Sequence, residues 1–332
     1  MYARRGPRLL APLLTLALFA TACAAGDSGG GDAPAGGAGF PLTVRNCGTD
    51  VTFDAPPERI ALLESAPVTI LHGLGVLDRA VLRAGAFPEE YYDAGTNAAI
   101  AGIESLGEDL DESGHLQISR ETIIAQEPEL VLGLPDGITR EGLAEVGINA
   151  LVQPVYCPDG VDATTFDDVY EQIELYGRIF GRTDEAATLA AGLRERETAV
   201  EESVEGRPER TAAVLYPTVG GGSGYAYGNR SMAHPQLAAA GFTNVFGDVD
   251  ERVFEVTTEQ LVAADPDVLV LLHVDGEPDD VKDALVTLPG ADTLRAVRDD
   301  EILVQLFNFT EPPTPLSMTG LERIADRFGA GR

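Results

Sequence analysis

An α/β protein of two lobes, each with a mostly parallel sheet flanked by helices, joined by one long kinked helix and leaving a cleft between them, is the fold this sequence predicts. Three observations predict it. The segments ETIIAQEPELVLGL (121–134) and EQLVAADPDVLVLL (259–272) align without a gap, a proline-free stretch of helical periodicity (164–204) lies between them, and strands alternate with helix-compatible segments around each copy. A chain that makes the same β-α-β unit twice on either side of a helix has two cores and a groove where they face each other.

The repeat carries the physics of one element boundary. Each copy reads acid, x, aliphatic, aliphatic, Ala, x, acid, Pro, acid, then an apolar run. Pro128 and Pro266 stop the helix before them, and the continuous apolar run after them suits a parallel strand buried on both faces. Short strands are expected in ERIALLES (58–65) and TAAVLYP (211–217), each followed by helix, glycine stop and strand, with Gly241 as the second stop. In the central stretch Thr165 and Asp168 form a capping pair, and Phe166, Val169, Ile173, Tyr176 and Phe180 recur at helical spacing. Thr183 can re-cap the chain after Gly181, so a kink is expected there, with a total length of roughly 55 to 60 Å at full extension.

The termini speak to compartment. Arg4, Arg5 and Arg8 precede an apolar run from Leu9 to Phe19 that ends at Ala20-Thr21-Ala22-Cys23. A run this short between basic residues and small ones is a signal peptide. The segment Ala20–Cys23 resembles a bacterial lipobox with alanine where leucine is usual, which makes Cys23 the expected lipidation site; ordinary secretory cleavage nearby is the alternative. A Gly, Ala and Ser tract then runs to residue 40 and reads as a flexible tether. The expected organisation is 1–22 signal peptide, 23–40 tether, 41–163 N-terminal lobe, 164–206 linking helix and 207–330 C-terminal lobe.

Loss of residues 1–22 removes three arginines and no acid, taking the net charge from −31 to −34. That excess disfavours nucleic acid as a partner. Cys47 and Cys157 are the only other cysteines, and in an extracytoplasmic chain they are expected to pair, closing a loop of about 110 residues worth about 3 to 5 kcal/mol; two buried thiols are the alternative.

The segments VTFDAPPERIALL (51–63), both acid-Pro-acid copies, TTFDDVYEQIELYGRIFG (164–181) and LPGADTLRAVRDDEILVQLFNF (288–309) together resemble the substrate-binding proteins of ABC importers that carry ferric siderophores, haem and cobalamin. The resemblance spans Leu42 to Phe328 and, through NCGTDVTFDAPPER, is to the actinobacterial branch of the iron-complex group. It implies a monomeric extracytoplasmic lipoprotein, held to the outer face of the cell membrane by lipid alone. A permease and its ATPase would be its partners, and an exposed glutamate on each lobe would dock on the permease. Glu104 and Glu259 fit by position, with Glu251 or Glu255 as substitutes for the second. No resident cofactor is implied, the ligand being itself a ferric chelate; haem, cobalamin or another bulky anionic cofactor precursor are the alternatives.

In parallel α/β sheets ligands sit beyond the carboxyl ends of the strands. The residues this nominates are Glu64, Tyr91, Tyr92 and Tyr156 in the first lobe, and Tyr225, Tyr227, Arg230, Arg252, His273, Phe307, Asn308 and Phe309 in the second. Aromatic rings suit a bulky chelate, and guanidinium groups suit chelate oxygens. A bare metal site is not expected, because the four histidines lack cluster spacing. His72 and His234 read as structural, and His115 and His273 keep a haem axial ligand open. A secreted lipoprotein enzyme is the rival class, but GGGSGY does not fit G-x-S-x-G and no HExxH occurs. The stretch VGGGSGYAYGNRSM (219–232) has neither the spacing of a dinucleotide loop nor the Lys-Ser/Thr of a P-loop, and reads as the lip of the cleft.

Overall fold

A computed structural model describes residues 39–107, 116–218, 224–274 and 276–329. Cys23, His115 and the glycines of 219–223 lie outside the described residues. A hairpin of β1 (Leu42–Asn46) and β2 (Thr49–Phe53) enters the N-terminal lobe. Its sheet holds β3 (Ile60–Leu62), β4 (Ala80–Arg83), β5 (Glu104–Ser105), β6 (Leu130–Leu132) and β7 (Asn149–Leu151) in the order β5-β4-β3-β6-β7, parallel throughout.

The C-terminal lobe holds β8 (Arg210–Tyr216), β9 (Gly224–Tyr227), β10 (Phe242–Asn244), β11 (Val253–Val256), β12 (Val268–His273) and β13 (Ile302–Leu306). The order is β11-β9-β8-β12-β13 with β10 also on β8, and only β9 and β11 run antiparallel to their neighbours. The two repeat copies become β6 and β12, each beside the first strand of its own sheet.

The repeat's acids explain how each copy is pinned. Glu127 and Asp265, just before the prolines, sit at positive φ (49° and 40°); Asp265 caps its helix in the left-handed region, whereas the helix before Glu127 ends at Ile124 with Ala125 as its C-cap. The acids after the prolines accept from the backbone at the start of the neighbouring strand: Glu129 from Glu58 N at 2.6 Å and Asp267 from Thr211 N at 2.8 Å. One carboxylate thus fixes the register of two adjacent strands.

A long helical segment joins the lobes, and its kink is sharper than the sequence suggests. Gly181 (φ 64°) terminates the helix Phe166–Phe180, and a second helix, Thr183–Val204, starts with Arg182 at its N-cap. Side chains then meet in antiparallel register: Tyr170 donates to Glu197, the Arg194 guanidinium lies 4.2 Å from the Tyr170 ring centre, and a Cβ on Gly177 would collide with that of Ala186. The halves pack side by side. The 22-residue second helix alone extends about 33 Å, short of the 55 to 60 Å of one extended rod.

Candidate functional site

In both sheets the strand order reverses beside the first strand, between β3 and β6 and between β8 and β12, and the loops leaving these strands open into one cavity of about 880 Å3. Glu64 and Ser65 follow β3, Gly133 to Asp136 follow β6, and Tyr156 lies on the 3-10 turn Pro154–Tyr156 after β7. From the other lobe come Tyr216 at the end of β8, Tyr225 and Tyr227 on β9, Arg252 ahead of β11, and Phe307 and Asn308 after β13. A groove of about 930 Å3 between the β1–β2 hairpin and the helix Phe166–Phe180 lies on the flank, away from most strand ends; topology therefore favours the interlobe cavity as the site.

The tyrosines divide into two kinds. Tyr156 and Tyr225 are 37% and 41% exposed and present their rings to the cavity, whereas Tyr91 and Tyr227 are 7% and 3% exposed and form its wall. Tyr91 also stitches the lobes together. Its hydroxyl accepts from Asn308 N at 2.9 Å, its ring meets Phe309 edge-on at 5.2 Å, and Asn308 Nδ2 donates to Ser65 Oγ at 3.0 Å. Burial pushes the Tyr91 and Tyr227 hydroxyls up, so both stay protonated donors.

Charge is held tightly around the cavity. Arg252 places its guanidinium 5.3 Å from the Tyr156 ring centre, across the cleft, and its Nη1 3.4 Å from Glu311 Oε2. Glu311 is fully buried and also accepts from Met232 N at 2.7 Å. Burial nevertheless pushes its carboxyl up to about 7, with Arg252 opposing the rise. Glu64 is half-buried; burial likewise takes it to about 7, offset only by the Gln153 side chain. Arg140, on the N-terminal lobe, donates from Nη2 to Asn46 Oδ1 at 2.6 Å, and desolvation lowers its guanidinium.

The structure brings Glu64, Tyr91, Tyr156, Tyr225, Tyr227, Arg252, Phe307 and Asn308 to the cavity, and does not bring Tyr92, Arg230, His273 or Phe309 there. Tyr92 lies behind, donating to Ser65 O at 2.9 Å. Arg230 grips Asp250 through two hydrogen bonds of 2.9 and 2.7 Å, while its carbonyl accepts from Thr164 Oγ1. His273 is buried at the end of β12, where Val274 is the residue that reaches the cavity. Phe309 is buried under Tyr91, with Arg323 4.7 Å from its ring centre. Tyr216 and Arg140 also line the cavity and Glu311 lies behind Arg252, three residues that the sequence reading does not nominate. Glu104 and Glu259 are exposed, one on each lobe.

Cys47 and Cys157 form a disulfide across 110 residues. It ties the β1–β2 turn to the residue after Tyr156, and Cys47 itself borders the cavity. Among the described residues no three of His, Cys, Asp and Glu converge as a metal ion requires.

Two α/β lobes enclosing an aromatic cavity at their strand ends define a bilobed solute-binding protein. Residues 60–304 match the family described as periplasmic binding protein, and the chain belongs to that family. It is a binding component of an ABC importer and not an enzyme. A crystal structure of an ABC-type Fe3+-hydroxamate transport system from Saccharomonospora viridis DSM 43017 is 74% identical, with a TM-score of 0.84, covering 88% of this chain and 100% of that one. A periplasmic binding protein from Veillonella parvula shares the fold at 17% identity, with a TM-score of 0.73 over 88% of this chain and 98% of that one. A cobalamin-binding protein of Halobacterium salinarum is 25% identical over 296 residues, which is 87% of this chain and 74% of that protein.

Proposed function

We propose that the chain captures a ferric siderophore, of the hydroxamate class, between its lobes and hands it to the importer's permease. The observation that carries this reading is the 880 Å3 cavity walled by tyrosines from both lobes. Its volume falls in the upper part of the usual range for ligand pockets, and its phenol hydroxyls and rings suit the oxygens and hydrocarbon spacers of a chelate. The Fe3+-hydroxamate relative, 74% identical, supports the same class. Glu64, Tyr91, Tyr156, Tyr225, Tyr227, Arg252, Phe307 and Asn308 form the contact set in this reading, with Tyr92 and Phe309 as supports behind it.

The remaining parts of the proposal follow from the sequence. Lipid on Cys23 and the tether of 23–40 hold a monomeric binding unit at the outer membrane face, with the lobes divided as 41–163 and 207–330 about 164–206. Glu104 and Glu259 are the docking carboxylates. A second reading, a corrinoid ligand, rests on the 25% identical relatives that carry the cobalamin-binding name.

The chain has no tryptophan, so tyrosine fluorescence reports the cleft. Titration with a ferric trihydroxamate, haemin and cobalamin is expected to give saturable quenching at the lowest concentration with the trihydroxamate. Saturation by cobalamin alone would move the assignment to the second reading.

A further inference from the structure

Each lobe sets one acid beside the cleft, and the two are treated differently. Glu311 has Arg252 and the Met232 amide as partners. Glu64 lines the cavity itself, and among the described residues no Lys, Arg or His comes within 4.0 Å of its carboxylate. Its neighbours are the Gln153 side chain and the phenols of Tyr176 and Tyr156.

The backbone makes room for this acid. Gly133, at φ +91° beyond β6, would with a Cβ stand 2.9 Å from Glu64 Cγ and 3.2 Å from its Cδ. A desolvated carboxylate without a cation is costly to keep, and among the described residues no strand, cap or ion pair uses it. The lining also offers Asp136 and Glu141 against Arg140 and Arg252, and Arg252 is already matched by Glu311 behind it. Among the described lining residues carboxyl groups outnumber guanidinium groups by three to two.

We propose that Glu64 is a specificity-determining residue that receives an ammonium group of the bound ferric complex, so that the cleft selects cationic chelates over anionic ones. A ferric ion with three hydroxamates has no net charge, so one pendant ammonium makes a monocation. Three catecholates leave a trianion, which this lining repels. The proposal rests on the ferric-chelate reading and names the charge that reading leaves open.

The test uses a linear ferric trihydroxamate with a terminal amine and its N-acetylated form, titrated into the wild-type chain, Glu64→Gln and Glu64→Asp. The wild type is expected to prefer the amine form by about tenfold, as a charge-assisted contact does over a neutral one. Glu64→Gln should weaken the amine form more than the acetylated form, bringing the two within about twofold, and Glu64→Asp should restore part of the preference. Equal wild-type affinity for the two forms, or an equal loss for both in Glu64→Gln, would overturn the role of Glu64 while leaving the cleft reading standing. Absence of saturable binding by either form would overturn both.

Discussion

The two lobes repeat one unit but are held by different means. In the N-terminal lobe the central strands β3 and β6 have three residues each, and a disulfide ties the entering hairpin to the last loop. In the C-terminal lobe the corresponding β8 and β12 have seven and six residues, and an ion pair between the buried Glu311 and the half-buried Arg252 holds the cleft wall. Longer ladders and larger cores hold a sheet without a covalent tie; short ones gain from it. The contrast extends to the acids at the cleft, since Glu311 is built into its wall and Glu64 is left facing the cavity.

The largest way to break this comparison is to remove the disulfide. Replacing Cys47 and Cys157 with serine should cost about 3 to 5 kcal/mol in denaturant unfolding, and should raise hydrogen exchange in the β1–β2 hairpin and around Tyr156 more than anywhere in the second lobe. Uniform loss across both lobes would refute the division of labour. Next, Glu311→Ala strips partners from Arg252 and the Met232 amide and should destabilise by about 2 to 4 kcal/mol, whereas Glu64→Gln should be neutral or stabilising by about 1 kcal/mol, because it removes a desolvation cost without removing a partner.

A pH series sharpens the same comparison. Burial holds both carboxyls at about 7 in the folded chain against an ordinary value of 4.5, so between those values the folded state holds protons that the unfolded chain has released. Stability therefore falls as pH rises from about 4.5 to about 7. Thermal melts from pH 5 to 8 should show this decline, and Glu64→Gln should flatten part of it. The smallest effect is on packing: Tyr156→Ala should weaken chelate binding about tenfold with little change in melting temperature, since its ring is exposed to the cavity. A large loss of stability would mean that the ring is core.

The sequence made the lobes legible because the duplicated Ala-x-acid-Pro-acid segment encodes a helix end, a strand and a register contact in one run. The resemblance to ABC-importer binding proteins carries the ligand class only as an implication, and the family match agrees with the resemblance itself. Side-chain destinations were less legible. Arg230 and Arg252 look alike in the sequence, yet one is taken by Asp250 twenty residues on and the other reaches the cleft because Glu311 returns from the far end of the lobe. The reversal at Gly181 was visible only as a glycine in a helical pattern; its sharpness comes from the packing of Gly177 against Ala186. Glu64 was nominated by position, but its want of a cation emerges only when Gln153, Tyr156 and Tyr176 are seen around it.

Locating the iron is the most direct measurement. Crystals grown with a ferric trihydroxamate and measured at the iron absorption edge should show one anomalous peak between the lobes, within reach of Tyr156 and Tyr225. Iron in the flanking groove beside the β1–β2 hairpin, or saturable binding in solution with no peak between the lobes, would contradict the account.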